Sequence, residues 1–89
     1  MEICGYHGIS LENGISGDDV HKALLTKKLM THVDNKIVLA DHSKIGKNAF
    51  REIAGFDEFD MVVSDVKAPD EWSVSLKEKE LEWLVADLL

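Results

Sequence analysis

The feature that most constrains the fold is a short apolar run that ends abruptly in a polar turn. Residues 36–40 are almost all Ile, Val, Leu or Ala, which is typical of a parallel strand covered on both faces. The turn that follows, residues 41–47, is polar and cationic, and the segment after it predicts a short helix. Open α/β sheets bind ligands at the carboxyl ends of such strands. The sequence therefore predicts an α/β fold with a ligand site at this turn.

Three side chains of the turn are candidates for binding an anion. Ser43 is placed to cap the following helix, whose free backbone amides attract anions. Lys44 adds a positive charge, which is unfavourable at a helix start unless an anion lies nearby. Asp41 either bonds a ligand hydroxyl or fixes the loop through backbone amides, and the sequence leaves both open. We expect a phosphate or carboxylate near Lys44.

Composition and charge limit the class of protein. The chain has 89 residues, enough for one small domain, with 45% hydrophobic and 30% charged residues. No apolar run approaches the roughly 20 residues of a membrane span, and the start lacks the basic and apolar regions of a secretory signal. The single cysteine cannot form an internal disulfide, so we expect a cytoplasmic protein. A net charge of −7 argues against direct binding to nucleic acid.

Short strands and helices alternate along the chain, which predicts a mostly parallel sheet of about four strands. The predicted strands are residues 2–6, 36–40, 61–64 and 81–86, and the predicted helices are residues 18–33, 46–53 and a segment beginning at Pro69. After Pro69, the alternative to a helix followed by a strand is one helix running through Leu88 to the end. The glycines at 5, 8, 14 and 17 predict a loop, which either approaches a ligand or only turns tightly.

Several segments resemble, in order and spacing, the C-terminal sensor domain of DeoR-family transcriptional regulators. They are residues 5–10, 12–16, 40–46, 49–50 and 60–65. The resemblance implies a Rossmann-like three-layer sandwich similar to ribose-5-phosphate isomerase, in the order β-α-β-α-β-α-β, that senses phosphorylated sugars. It also implies that residues 1–89 are a single, partial sensor domain that lacks the helix-turn-helix and the first half of the sensor.

The resemblance supplies candidate contacts to a sugar phosphate. In the similar isomerases, the lysine of this Ser-Lys motif lies at the phosphate end of the sugar site. That implies the same role for Lys44, with Asp41 and Ser43 beside it. Gly14 and Ser16, in the glycine-rich segment, are the further candidates, although Ser16 and the residue after it depart from the paired threonines of many family members.

The helix predicted at residues 18–33 has two apolar rows. We expect the first row to pack on the sheet; it comprises Val20, Ala23, Leu24 and Met30. The second row is predicted to contact another chain or the absent half-domain, so that the protein forms a homo-oligomer; it comprises Leu25, Leu29 and Val33.

The expected function is the effector-sensing and oligomer-forming part of a DeoR-type repressor, in which a phosphorylated sugar controls DNA binding by a separate N-terminal domain. The alternatives are an interaction module without a ligand and a sugar-phosphate isomerase relative. Isomerisation needs a general base, and Glu12 is the only acid in the loop where similar isomerases cluster theirs. We therefore predict no catalytic residue, no cofactor and no metal site, since Cys4 and His7 form an isolated pair whereas structural zinc needs about four ligands.

Overall fold

The computed structural model describes residues 1–86, which form two sheets and two α-helices. Strands β1, β4, β6 and β7 form a four-stranded sheet in that order, and β2, β3 and β5 form a three-stranded sheet. The elements are β1 Glu2–Ile3, β2 Gly8–Ser10, β3 Gly14–Gly17, α1 Val20–Met30, β4 Ile37–Ala40, β5 Arg51–Ala54, β6 Met61–Ser64, α2 Ser73–Glu78 and β7 Glu82–Val85. Two short 3₁₀ helices, His42–Lys44 and Asp70–Trp72, precede β5 and α2.

The four-stranded sheet is parallel throughout, and one of its faces forms the core. On that face Val38 and Val62 lie side by side in the register and are fully buried. Aromatic rings belong to the same core: Phe56 lies 5.6 Å from Trp72, which lies 6.0 Å from Trp83, between ring centroids. The predicted four-stranded parallel sheet is therefore present, with strands at 36–40 and 61–64 where the apolar runs placed them.

The carboxyl-terminal part follows the predicted order of a helix and then a strand. Pro69 directly precedes the 3₁₀ turn, its carbonyl accepts from Trp72 N–H at 2.9 Å, and the next two residues are acids that favour a helix start. The turn continues into α2, and β7 then pairs in parallel with β6. The alternative of one continuous helix is wrong for residues 79–86, and its last part, with Leu88, lies outside the described residues.

The glycine-rich segment is a β-hairpin, so the predicted loop is wrong. Strands β2 and β3 pair antiparallel within it. The glycines allow close backbone approaches: a Cβ on Gly8 would lie 2.2 Å from the carbonyl oxygen of Lys47, and one on Gly14 would lie 2.0 Å from that of Ala54. These contacts join residues far apart in sequence, which local turn chemistry does not reveal.

The helix predicted at residues 46–53 is absent, and β5 occupies its second half. Two backbone amides just before β5 bind side chains in and after β3. The Ser16 hydroxyl accepts from Ala49 N–H at 2.9 Å, and the Asp18 carboxylate accepts from Phe50 N–H at 3.1 Å. A strand therefore stands between β4 and β6 where the sandwich would have a helix. The strict β-α alternation is found only in part.

Helix α1 begins as predicted, with the Asp19 carboxylate accepting from Lys22 N–H at 3.1 Å. It ends at Met30, earlier than predicted, because the Thr31 hydroxyl and amide both donate to the Lys28 carbonyl and close the last turn. Ala23 and Met30 are buried as expected. The first-row prediction is wrong for Leu24, which is 63% exposed. No helix among the described residues combines the length and apolar character that a membrane crossing requires.

Gly14 and Gly46 provide a matched pair of substitutions. Both have positive φ, +63° and +83°, but a Cβ at Gly46 would meet no heavy atom within 4 Å. We expect Gly46→Ala to lower the free energy of unfolding by about 1 kcal/mol, from backbone strain alone. Gly14→Ala should lower it by about 3 kcal/mol or more, because the methyl group collides with the Ala54 carbonyl. Urea denaturation measures both, and equal losses would contradict the close approach of β3 to β5.

Candidate functional site

The predicted ligand turn lies where the carboxyl ends of the parallel strands meet. The loop after β1 holds Tyr6, the 3₁₀ helix after β4 holds Lys44, and Asp65 directly follows β6. Because β1, β4 and β6 are neighbours in register, these groups share one edge of the sheet.

Tyr6 and Lys44 tie the loop after β1 to the end of β4. The Lys44 ammonium donates to the Tyr6 carbonyl at 2.7 Å and lies 5.1 Å from the centroid of the Tyr6 ring. The Tyr6 hydroxyl donates to the Leu39 carbonyl at 2.7 Å. Burial raises the pKa of Tyr6 well above its usual value, and the nearby Asp41 charge adds to this, so the phenol remains a neutral donor. An ammonium has three N–H donors, which leaves two on Lys44 beyond the bond to Tyr6.

Asp41 fixes the turn from within. Its carboxylate accepts from the Ser43 amide at 2.8 Å and from the Ser43 hydroxyl. These bonds, the hydroxyl first, hold the pKa of Asp41 below its usual range. The predicted capping role of Ser43 is wrong, because Asp41 is the capping residue of the short helix. Both side chains are exposed, so they lie on the accessible side of the turn beside Lys44.

His42 and Asp65 form an ion pair across the same edge, which the sequence did not reveal. His42 Nδ1 lies 2.7 Å from Asp65 Oδ2. The hydrogen bond to Asp65 raises the pKa of His42 and lowers that of Asp65. The register of β4 with β6 explains the pair: Ala40 pairs with Ser64, so residues just beyond the two strand ends are neighbours.

Gly14 and Ser16 lie in β3 and take part in packing. Ser16 is fully buried, its hydroxyl accepts the Ala49 amide, and its carbonyl accepts the His7 amide at 2.8 Å. Through His7, β3 supports the loop that carries Tyr6. Gly14 and Ser16 are therefore buried supports of the loop, whereas Asp41 and Ser43 are exposed and Lys44 is half-buried.

A shallow cleft adjoins this edge, between the loop after β1 and the start of α1. Gly5 and Lys22 line it, and the Lys22 ammonium would lie 3.6 Å from a Cβ on Gly5. Its volume of about 20 Å³ admits one water molecule. That volume is much smaller than a sugar phosphate.

Two further sets of predicted residues lie elsewhere. Glu12 is exposed in the turn between β2 and β3. The row predicted as an oligomer contact is accessible, with Leu25 61% and Leu29 49% exposed and Val33 half-buried, and its interface role stays a prediction. Within residues 1–86, no three His, Cys, Asp or Glu side chains are arranged to hold a metal ion.

Comparison with known proteins gives consistent matches. Residues 1–66, which include β1 to β6, match the family described as DeoR C terminal sensor domain. The HTH-type transcriptional repressor GlcR of Bacillus subtilis (strain 168) is 33% identical over 63 residues, covering 71% of this chain and 24% of GlcR. The uncharacterized HTH-type transcriptional regulator YulB of the same strain is 33% identical over 58 residues, covering 65% of this chain and 22% of YulB. The matched part of the chain thus spans about a quarter of the length of these relatives.

The ion pair makes a prediction that depends on pH. Asp65→Asn should lower the pKa of His42, measured by NMR titration of its ring protons, whereas Asp57→Asn, at an exposed carboxylate, should leave it unchanged. The raised pKa of His42 stabilises the fold below about 6.5, its unfolded value, and the lowered pKa of Asp65 stabilises it above about 3.9. The contribution is therefore full between these values and is lost as the pH rises through the folded pKa of His42 or falls through that of Asp65. An unchanged His42 titration in Asp65→Asn would exclude the pair.

Proposed function

This chain belongs to the family of DeoR C-terminal sensor domains, and we propose that it senses a phosphorylated sugar at the carboxyl edge of its parallel sheet. Binding of the sugar controls DNA binding by a helix-turn-helix domain outside these residues. The chain itself binds the sugar and transmits this event to the helix-turn-helix domain, and it neither binds DNA nor catalyses a reaction.

The matched relatives support the regulatory part of this proposal. Both are described as HTH-type transcriptional regulators, and the matched segment is only about a quarter of each. The DNA-binding part therefore belongs to the remaining length of such proteins. A net charge of −7 on the 89 residues agrees with that division, because contact with phosphate backbones favours basic surfaces.

The observation that carries the ligand assignment is the anchored ammonium of Lys44. Its bond to the Tyr6 carbonyl fixes the charge at the sheet edge, and its two remaining N–H groups are available to phosphate oxygens. The exposed Asp41 and Ser43 lie in the same short helix and its cap, within reach of sugar hydroxyls. We assign the buried Gly14 and Ser16 to positioning β3 beneath this site.

The arrangement suits a sensor better than an isomerase. Proton abstraction needs a carboxylate free to act as a base. At this edge Asp41 is bound to Ser43 and Asp65 is paired with His42. Glu12, the acid considered from the sequence, lies in the hairpin turn. A ligand phosphate at Lys44, by contrast, contacts a group that already joins two loops, so occupancy changes how those loops are held.

A titration with a panel of pentose and hexose phosphates tests the assignment. We expect saturable two-dimensional NMR shifts of the amides of Tyr6 and of residues 43–45. Lys44→Ala should weaken binding by about tenfold to a hundredfold, because a charge-assisted hydrogen bond is lost. Lys47→Ala removes an exposed lysine three residues away and should have little effect.

The controls separate the competing functions. Lys44→Arg keeps the charge and should retain part of the binding. A well-dispersed spectrum without shifts for any sugar phosphate would exclude the ligand and favour an interaction module. Turnover of a pentose phosphate that is lost in Glu12→Gln would instead indicate an isomerase.

A further inference from the structure

A larger cavity lies at the amino ends of the parallel strands, at the edge of the sheet opposite Lys44. Lys36 directly precedes β4 and Asp60 directly precedes β6, and both line this cavity. The end of α1 and the loop after β5 complete its lining. Its volume of about 310 Å³ is at the lower limit of small-molecule sites. The cavity can therefore hold a ligand of about the size of an amino acid.

The floor of the cavity is apolar. Met30 of α1 and Ile53 and Ala54 of β5 line it, and each is at most 5% exposed. All three belong to the hydrophobic core of the protein. A ligand on this floor would cover part of the core surface that is otherwise open to water, which favours a ligand with an apolar body.

Charged side chains of both signs surround this floor. Among residues 1–86, no lysine nitrogen of the set lies within 4.0 Å of a carboxylate oxygen. The opposite charges therefore share the cavity without neutralising each other, which leaves room for a ligand that carries both signs. The positive members are Lys27 and Lys36, and the negative members are Asp57, Glu58 and Asp60.

Two of the acids are held in place by backbone amides. The Asp60 carboxylate accepts from Lys36 N–H at 2.8 Å, and the Lys36 carbonyl accepts from Asp60 N–H at 2.9 Å. The Glu58 carboxylate accepts from Gly55 N–H at 2.6 Å. These bonds fix the acidic side of the cavity before a ligand arrives, so that little ordering is needed on binding.

Asp57 supplies the acid that a ligand can reach. It is exposed and, unlike Glu58 and Asp60, makes no hydrogen bond to a backbone amide among residues 1–86. Its Oδ1 would lie 3.0 Å from a Cβ on Gly55, so the lack of a side chain there leaves the space beside the carboxylate open. Three acids face two lysines in the cavity, and this excess of negative charge favours a ligand ammonium at Asp57.

From these observations we propose that the cavity binds a small zwitterion, namely an amino acid with an apolar side chain. The ligand carboxylate binds the ammonium groups of Lys27 and Lys36. The ligand ammonium binds Asp57, and the ligand side chain lies on Met30 and Ile53. Contacts of both signs select this ligand over one that is purely apolar or carries a single charge. The inference is independent of sugar phosphate binding at the other edge of the sheet.

NMR titration of the whole chain with L-leucine and L-methionine tests the proposal. We expect saturable shifts of the amides of Thr31, Gly55 and Asp57, with a dissociation constant on the order of 1 mM, and no shifts of Tyr6 or residues 43–45. Two analogues of leucine each lack one of its charges, 3-methylbutylamine and 4-methylpentanoate. Each should bind about fivefold more weakly or less. The absence of saturable shifts with either amino acid, or equal binding of a singly charged analogue, would overturn the proposal.

Matched variants locate the binding site. Lys27→Gln and Asp57→Asn should each weaken leucine binding by about fivefold or more, since each removes a charged contact. Lys28→Gln and Asp34→Asn remove exposed charges of the same sign outside the cavity and should leave binding unchanged. Equal losses in the two sets would show that only the overall charge matters, and the site would be wrong. On the unsubstituted chain, intermolecular NOEs should join the leucine methyl groups to the Met30 methyl group. NOEs confined to the outer leucines of α1 would also overturn the proposal.

Discussion

The two hydrogen bonds of Tyr6 are the constraint on which the arrangement of the sheets depends. The chain leaves the parallel sheet after only two residues of β1 and enters the antiparallel sheet at Gly8. Between them, the Tyr6 hydroxyl holds the end of β4, and the Tyr6 carbonyl holds Lys44. The Tyr6 ring is buried, and both bonds are partly shielded from water. Tyr6 therefore fixes the position of Lys44, and together with the Gly46 N–H bond to the Ile9 carbonyl it joins the hairpin to the segment after β4.

The local sequence pattern was sufficient to predict the apolar strands. It was insufficient where contacts between residues far apart in sequence determine the local structure. Strands were predicted at residues 36–40 and 61–64, and the structure has strands at Ile37–Ala40 and Met61–Ser64. Residues 46–53 present apolar side chains at helical spacing, but Ser16 and Asp18 bind the amides that a helix would have used. The hairpin was missed for a related reason, since its glycines serve approaches to residues 47 and 54 that only the folded chain brings near.

The same distinction holds at the carboxyl edge of the parallel sheet. The position of Lys44 and Asp41 at this edge follows from their place directly after a strand that was predicted to be parallel. The role of Asp41 within the turn, and its replacement of Ser43 as the cap, depend on a 3₁₀ helix that the sequence did not indicate. The pairing of His42 with Asp65 needed the register of β4 with β6. The positions of these residues at the sheet edge were thus predictable from the topology, whereas their individual hydrogen bonds depend on the backbone geometry of the turn and the register of the strands.

The aromatic cluster of Phe56, Trp72 and Trp83 also determines which structural changes the intrinsic fluorescence of this protein reports. Both tryptophans of the chain belong to the carboxyl-terminal unit, beyond the segment shared with the DeoR family, and they lie 6.0 Å apart against the core. Their emission therefore follows the docking of α2 and β7 onto β6. The Trp83 indole N–H also donates to the Val66 carbonyl at 3.0 Å, directly after Asp65, so the emission of Trp83 is placed to report changes at the carboxyl edge of the sheet as well.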